Sequence, residues 1–253
     1  MQDSEKVKPI GRKNPCFTKN MKKRIQMFSL KMIFISMIIM VFMTNLLFSQ
    51  TETIQTELDE KTIFVLSEIS SGSDKVITVT PVENGYRAKV QVYEKIEDEW
   101  KLVFHTDGFV GRNGVTSDKK EGDGATPFGI YTFGRAFGVA DDPGSILTYT
   151  KVTENDVWVD DVKSRFYNQW SFKDNPDADW DSAEHLMEYP LQYKYVLTIN
   201  YNTDPIISGK GSAIFLHCSA DRPTAGCVSV PETAMLFLLG FIDEETIIGI
   251  FYE

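Results

Sequence analysis

Reactive side chains are scarce in this chain: 253 residues carry three cysteines and three histidines. Cys16 precedes a long apolar run, so only Cys218 and Cys227 remain in the part that follows it. No Cys-x-x-Cys pair is present, and His217 and Cys218, adjacent on one strand, converge poorly on a tetrahedral ion, which argues against zinc. No cysteine directly follows the apolar run, which argues against a lipoprotein anchor. The glycine-rich "EGDGATPFG", residues 121–129, lacks the Gly-Lys-Ser/Thr tail of a phosphate-binding loop. Internal repeats and low-complexity tracts are missing. Basic charge is also missing beyond the first 31 residues. That head holds nine Lys and Arg against two Asp and Glu, whereas the remainder holds 17 against 34 and is strongly acidic. An acidic body has the wrong sign to condense on phosphates, which excludes nucleic acid as its partner.

What is present begins with "MIFISMIIMVFMTNLLFS", residues 32–49, which carries no charge. At about 1.5 Å per residue it nearly spans a hydrocarbon core of roughly 30 Å. Lys22, Lys23, Arg24 and Lys31 precede it, while Glu52, Glu57, Asp59 and Glu60 follow. This charge bias places the N-terminus in the cytoplasm and the body outside. A cleaved signal peptide has a shorter apolar core, of about 7–15 residues, although Ser49 offers a cleavage point. The expectation is an uncleaved single-pass transmembrane helix, with secretion to the cell wall as the alternative. The chain then divides into a basic cytoplasmic head (1–31), the anchor or signal segment (32–49), a stalk (50–75) and one folded domain (76–253).

The folded part reads as mainly β. "KVITVTPV" and "YRAKVQVYEKI" alternate apolar and polar residues around the turn "ENG". "EWKLVFHTDGFVG", "GIYTFG", "KYVLTINYN", "SAIFLHCS" and "TIIGIFYE" are further strands, and "PETAMLFLLG" is a short helix starting at Pro231 and stopping at Gly240. Many short strands with one or two short helices indicate a β-sandwich. Residues 153–189 have no clear period and read as a functional loop or lid. Within them, Asp177, Asp179, Asp181 and Glu188 have calcium-loop spacing, but Ser182 replaces the required glycine. A helix start capped by Asp181 or Ser182, with His185 near a groove, is the better reading. Trp158, Trp170 and Trp180 either line a cleft or fill a small core.

"HCSADRPTAGCVSVPE", residues 217–232, concentrates the chemistry. On a strand, Ile214, Leu216 and Cys218 point one way and Phe215 and His217 the other. If His217 faces Cys227, Cys218 lies on the opposite side as a small buried hydrophobe. A cysteine activated by an imidazole, a disulfide favoured by an oxidising compartment, and an inert thiol all remain open. Gly226 permits a sharp turn before Cys227, and the amides there can face a developing oxyanion.

This stretch resembles the active-site motif of the L,D-transpeptidase (YkuD/ErfK-type) catalytic domain, a His followed by Ser/Thr-His-Gly-Cys. "EGDGATPFGIYTFG" is similar to that family's Gly-Asp-Gly-x-Thr-Pro-x-Gly hairpin, and "YNQW", "SAEHL" and "GKGSAIFLH" extend the likeness over approximately residues 100–240. The resemblance implies a cysteine acyltransferase of peptidoglycan stem peptides needing no metal or organic cofactor, with Cys227 as nucleophile, His217 as base and Gly226 beside them. It implies substrate contacts from Thr224, Arg222 and the hairpin residues Asp123, Thr126 and Pro127. Ala225 replaces the motif's second His, and Ser229 stands where many members carry an Arg that meets a substrate carboxylate. Arg222, Arg112 or Lys120 is left to take that role. A peptide hydrolase using the same site and a non-catalytic wall-binding module are the alternatives.

Overall fold

The structure, a computed structural model, describes residue 58 and residues 60–70, 72–82 and 85–252. The basic head, the apolar run 32–49 and most of the stalk lie outside the described residues, so the expected transmembrane helix does too. Within the sequence assigned to the stalk, Glu60–Ile69 forms helix α1, and its Leu66 and Ile69 are buried with Val76, Tyr93, Trp100 and Ile247.

The main sheet is built from β1 (Lys75–Val82), β2 (Arg87–Ile96), β3 (Glu99–Phe109), β6 (Gly129–Gly138), β7 (Tyr149–Lys151), β11 (Val196–Ile199), β12 (Phe215–Cys218), β13 (Val228–Val230) and β14 (Ile247–Ile250). Its order is β11-β12-β13-β3-β2-β1-β14-β6-β7, and β11 also pairs with β6. The fold is mainly β with two short helices, but the two faces of the expected sandwich belong to one sheet whose ends meet. Strand β6 closes the ring: Gly129–Thr132 pairs with β14, while Phe133–Phe137 pairs with β11. Closure leaves fewer unpaired edges than two open sheets would. The thinnest seam lies between β3 and β13, joined through Ser229 and Phe109. Gly108 makes that approach possible, because a Cβ there would lie 2.4 Å from the Ser229 carbonyl oxygen.

The interior is filled by alternate residues of these strands, among them Val79, Val90, Phe133, Leu216, Val228 and Val230. Helix α2 (Glu232–Leu239), with Pro231 at its N-cap and Gly240 at its C-cap, buries Ala234, Met235, Leu238 and Leu239. Burying each of the Met235, Leu238 and Leu239 side chains contributes about 1.5–3 kcal/mol. A small antiparallel sheet, β10-β8-β9, comes from the aperiodic insertion: β8 (Asp156–Val159), β9 (Gln169–Phe172) and β10 (Ala183–His185). The helix start expected near Ser182 is therefore a strand, which pairs Glu184 with Trp158. It is followed by two 3-10 turns, Leu186–Glu188 and Gln192–Lys194. The hairpin segment forms β4 (Val115–Thr116) and β5 (Thr126–Pro127), a short parallel pair.

Candidate active site

Strands β12 and β13 run parallel, with Leu216 opposite Val228, His217 opposite Ser229 and Cys218 opposite Val230. Alternation then decides which side chains meet. Leu216, Cys218, Val228 and Val230 enter the main core, whereas Phe215 and Cys227 join a second cluster with Phe137, Trp158 and Tyr193. His217 and Ser229 share the face of Phe215 and Cys227. Both Cys218 and Cys227 are buried free thiols, so the disulfide reading is overturned.

Several contacts fix the sulfur of Cys227. The Phe215 N–H donates to Sγ at 3.4 Å, and the thiol donates to the Ala213 carbonyl at 3.2 Å. Ala213 holds a left-handed φ of 52°, uncommon for a residue with a Cβ, and its N–H donates to Asn168 Oδ1. Gly226, at φ 156°, admits the turn before the cysteine; a Cβ there would press on the Ala125 carbonyl at 3.1 Å. Thr224 Oγ1 donates to the Cys227 carbonyl at 2.6 Å and accepts from the Gly226 N–H at 3.1 Å. The Gly226 amide is thereby engaged within the loop.

His217 Nδ1 lies 2.8 Å from the Cys218 carbonyl oxygen. A carbonyl only accepts, so in the neutral ring the proton sits on Nδ1 and Nε2 is the bare nitrogen. Burial pushes the His217 pKa down to about 4 and the Cys227 thiol up to about 12. The resting pair is thus an uncharged imidazole and an uncharged thiol whose proton is directed to Ala213.

One cavity of about 650 Å³ collects His217, Cys227, Gly226, Thr224, Arg222 and Ser229. Arg112 and Lys119 line it on the side of the β12–β13 loop and the hairpin; Glu184, His185 and Glu188 line it from β10 and the turn after it. Arg112 and Arg222 form no ion pair with any described residue. Lys120 does not line the cavity and instead pairs with Asp118 at 3.2 Å. Asp123, Thr126 and Pro127, expected at the substrate, do not line it either. The Asp123 carboxylate is consumed by its own turn, accepting from Lys119 Nζ at 2.6 Å and from the Lys120 and Ala125 amides. Thr126 is buried behind the site, where its hydroxyl accepts from the Gly111 N–H and donates to the Cys227 carbonyl. Pro127 is buried in β5.

The tryptophans lie behind the cavity rather than in it. Trp158 and Trp170 pack edge-on around Phe137 and Phe215, and Trp180 packs on Phe166. The calcium spacing dissolves as well, since Asp179 accepts from the Ser164 hydroxyl and the Arg165 amide. Sequence reasoning missed Lys119, Tyr193 and Glu184. No local signal marked Glu184, since "AEH" is too short to show a period and the acidic tract before it reads as a helix cap.

A family model for the L,D-transpeptidase catalytic domain, YkuD, matches residues 86–250. The chain belongs to the YkuD family. Among solved structures, the YkuD domain is similar to "Structure of the Ldtfm-avibactam carbamoyl enzyme", at 16% identity and a TM-score of 0.34. That match covers 71% of this chain and 49% of the other, so the chain spans about half the length of the protein it matches. No curated protein matches.

Proposed function

We propose that this YkuD domain is an L,D-transpeptidase of peptidoglycan stem peptides, forming an acyl-enzyme on Cys227 with His217 as general base. The observation that carries the reading is the placement of both side chains on one face of paired strands, lining one cavity, with the imidazole tautomer fixed by the Cys218 carbonyl. With both groups neutral at rest, the nucleophile is made during the reaction. Nε2 takes the thiol proton as sulfur attacks the stem-peptide carbonyl, then returns it to the departing amine of the terminal residue. Arg112 and Arg222, which have no acidic partner among the described residues, are the proposed contacts for a substrate carboxylate, taking the place of the missing Arg at Ser229. The domain is held outside the cytoplasmic membrane by residues 32–49. Hydrolysis uses the same acyl-enzyme with water as acceptor.

The test is intact mass of the protein after incubation with a tetrapeptide donor or a carbapenem. A covalent adduct is expected on the native sequence and none on Cys227→Ala. No adduct on the native sequence across pH and donor would leave a wall-binding module as the better reading.

A further inference from the structure

Glu184 is a half-buried acid that the acylation half of the reaction does not use. It sits on β10 and lines the cavity with Cys227. One of its oxygens accepts from the Tyr193 hydroxyl at 2.5 Å; the carboxylate takes no other side-chain hydrogen bond from the described residues. Its charge bears directly on the sulfur, raising the Cys227 pKa after burial itself. For a group that has to become a thiolate this is a handicap, since like charges disfavour each other's ionised form. The handicap ends once the sulfur is acylated, because a thioester is neutral. From then on the same carboxylate faces an uncharged acyl-enzyme and is free to hold a cation.

Two further features point the same way. Ser229 is 1% exposed, lines this cavity, and its hydroxyl has no hydrogen-bond partner among the described residues. The charges of the cavity are also separated by element. Glu184, Glu188 and Asp160 line it from the small sheet and the turn that follows β10, while Arg112, Lys119 and Arg222 line it from the hairpin and β12–β13 loops, where the one acid, Glu121, accepts from the Tyr167 and Ser212 hydroxyls. A ligand matched to this lining carries an ammonium toward Glu184 and an anion toward the arginines.

We propose that Glu184 is the acceptor-binding residue, drawing a primary ammonium to the acyl-enzyme so that an amine rather than water receives the acyl group. This rests on the acyl-enzyme reading above. The ammonium gives one proton to Glu184, which passes it to solvent, and the freed amine attacks the thioester carbon. As the C–N bond forms and the C–S bond breaks, the second nitrogen proton moves through His217 Nε2 to sulfur and restores the thiol.

The partition of the acyl-enzyme between amide and acid products tests this, with a peptide bearing a lysine-type amine as acceptor and hydroxylamine as an uncharged comparison. In Glu184→Gln, capture by the cationic amine should fall at least tenfold relative to hydrolysis. Capture by hydroxylamine should hold within about twofold, and acylation should become faster as the like charge is removed. Should that variant fail to fold, the native sequence carries the test: a peptide with an unreactive guanidinium in place of the amine should compete with the amine acceptor. Normal acylation with an unchanged partition in Glu184→Gln, or no competition by the guanidinium peptide, would overturn the assignment while leaving the Cys227 reading intact. No adduct on any protein would bring down both.

Discussion

Burial governs the protonation of both sulfurs. Cys227 is pushed up to about 12 and Cys218 to about 11, so at neutral pH neither is a thiolate. A site with this resting state differs from one holding a preformed thiolate–imidazolium pair, because alkylating reagents report the thiolate fraction. Iodoacetamide at pH 7–8 should therefore label the folded domain slowly, at less than about a tenth of the rate of a free thiol with its pKa near 8.5. Addition of urea should expose both thiols, Cys218 and Cys227, without any reductant. Rapid labelling of Cys227 in the folded, substrate-free protein would contradict the neutral pair. The same residues show what could be read in advance. The opposite facing of His217 and Cys218 followed from strand alternation alone. The engagement of the Gly226 amide with Thr224 did not, because it depends on a hydroxyl rotamer in a loop with no period.

At the scale of elements, the site depends on how closely two strands approach. Ser229 opposes His217 on one side and Phe109 on the other, and the β3–β13 seam passes over Gly108. Gly108→Ala would put a Cβ into the Ser229 carbonyl and force the seam open. The expected cost is about 2 kcal/mol or more, in line with overpacking of a tight interior, and acylation should slow because Cys227 immediately precedes β13. Ala213 supplies a contrasting case. Its left-handed backbone is strained for alanine, so Ala213→Gly should fold at least as stably, whereas Ala213→Val should destabilise by about 1–2 kcal/mol. Urea midpoints for these three variants decide both points. Most main-sheet strands were legible as apolar or alternating runs, and helix α2 because Pro231 and Gly240 bracket it; β7 and β13, three residues each, were not. Closure of the sheet was not legible. It requires the two halves of β6 to pair with strands far apart in sequence, and no local pattern encodes that. Strand β10 was lost for a related reason: three residues are too few to show a period, and an acidic tract before them imitated a helix cap.

For the whole molecule, two groups lining the cavity titrate in opposite senses and make stability depend on pH in a separable way. His217 has a folded pKa of about 4 against an ordinary value near 6.5. Between those values the unfolded chain binds the proton more readily, so this group removes stability as pH falls from about 6.5 toward 4. Glu184 is the reverse. Burial first, with the charges of Asp160 and Glu121 adding to it against the Tyr193 hydroxyl, raises its pKa to about 7 from an ordinary 4.5. The folded protein then binds the proton more readily between 4.5 and 7, so this group removes stability as pH rises through that range. In the native sequence the two slopes oppose each other and the urea-denaturation free energy should be nearly flat from pH 4.5 to 6.5. His217→Gln should leave the Glu184 slope alone, with stability increasing as pH is lowered from 7 to 4.5. Glu184→Gln should show the opposite trend, losing stability on the order of 1–3 kcal/mol as pH is lowered from 6.5 to 4. Asp123 and Asp243, held below the ordinary carboxylate range, contribute only below about pH 4 and stay outside this window. Parallel curves for the native sequence and both variants would mean that neither group is held in the protonation state assigned here, and would remove the neutral imidazole on which proton transfer from Cys227 depends.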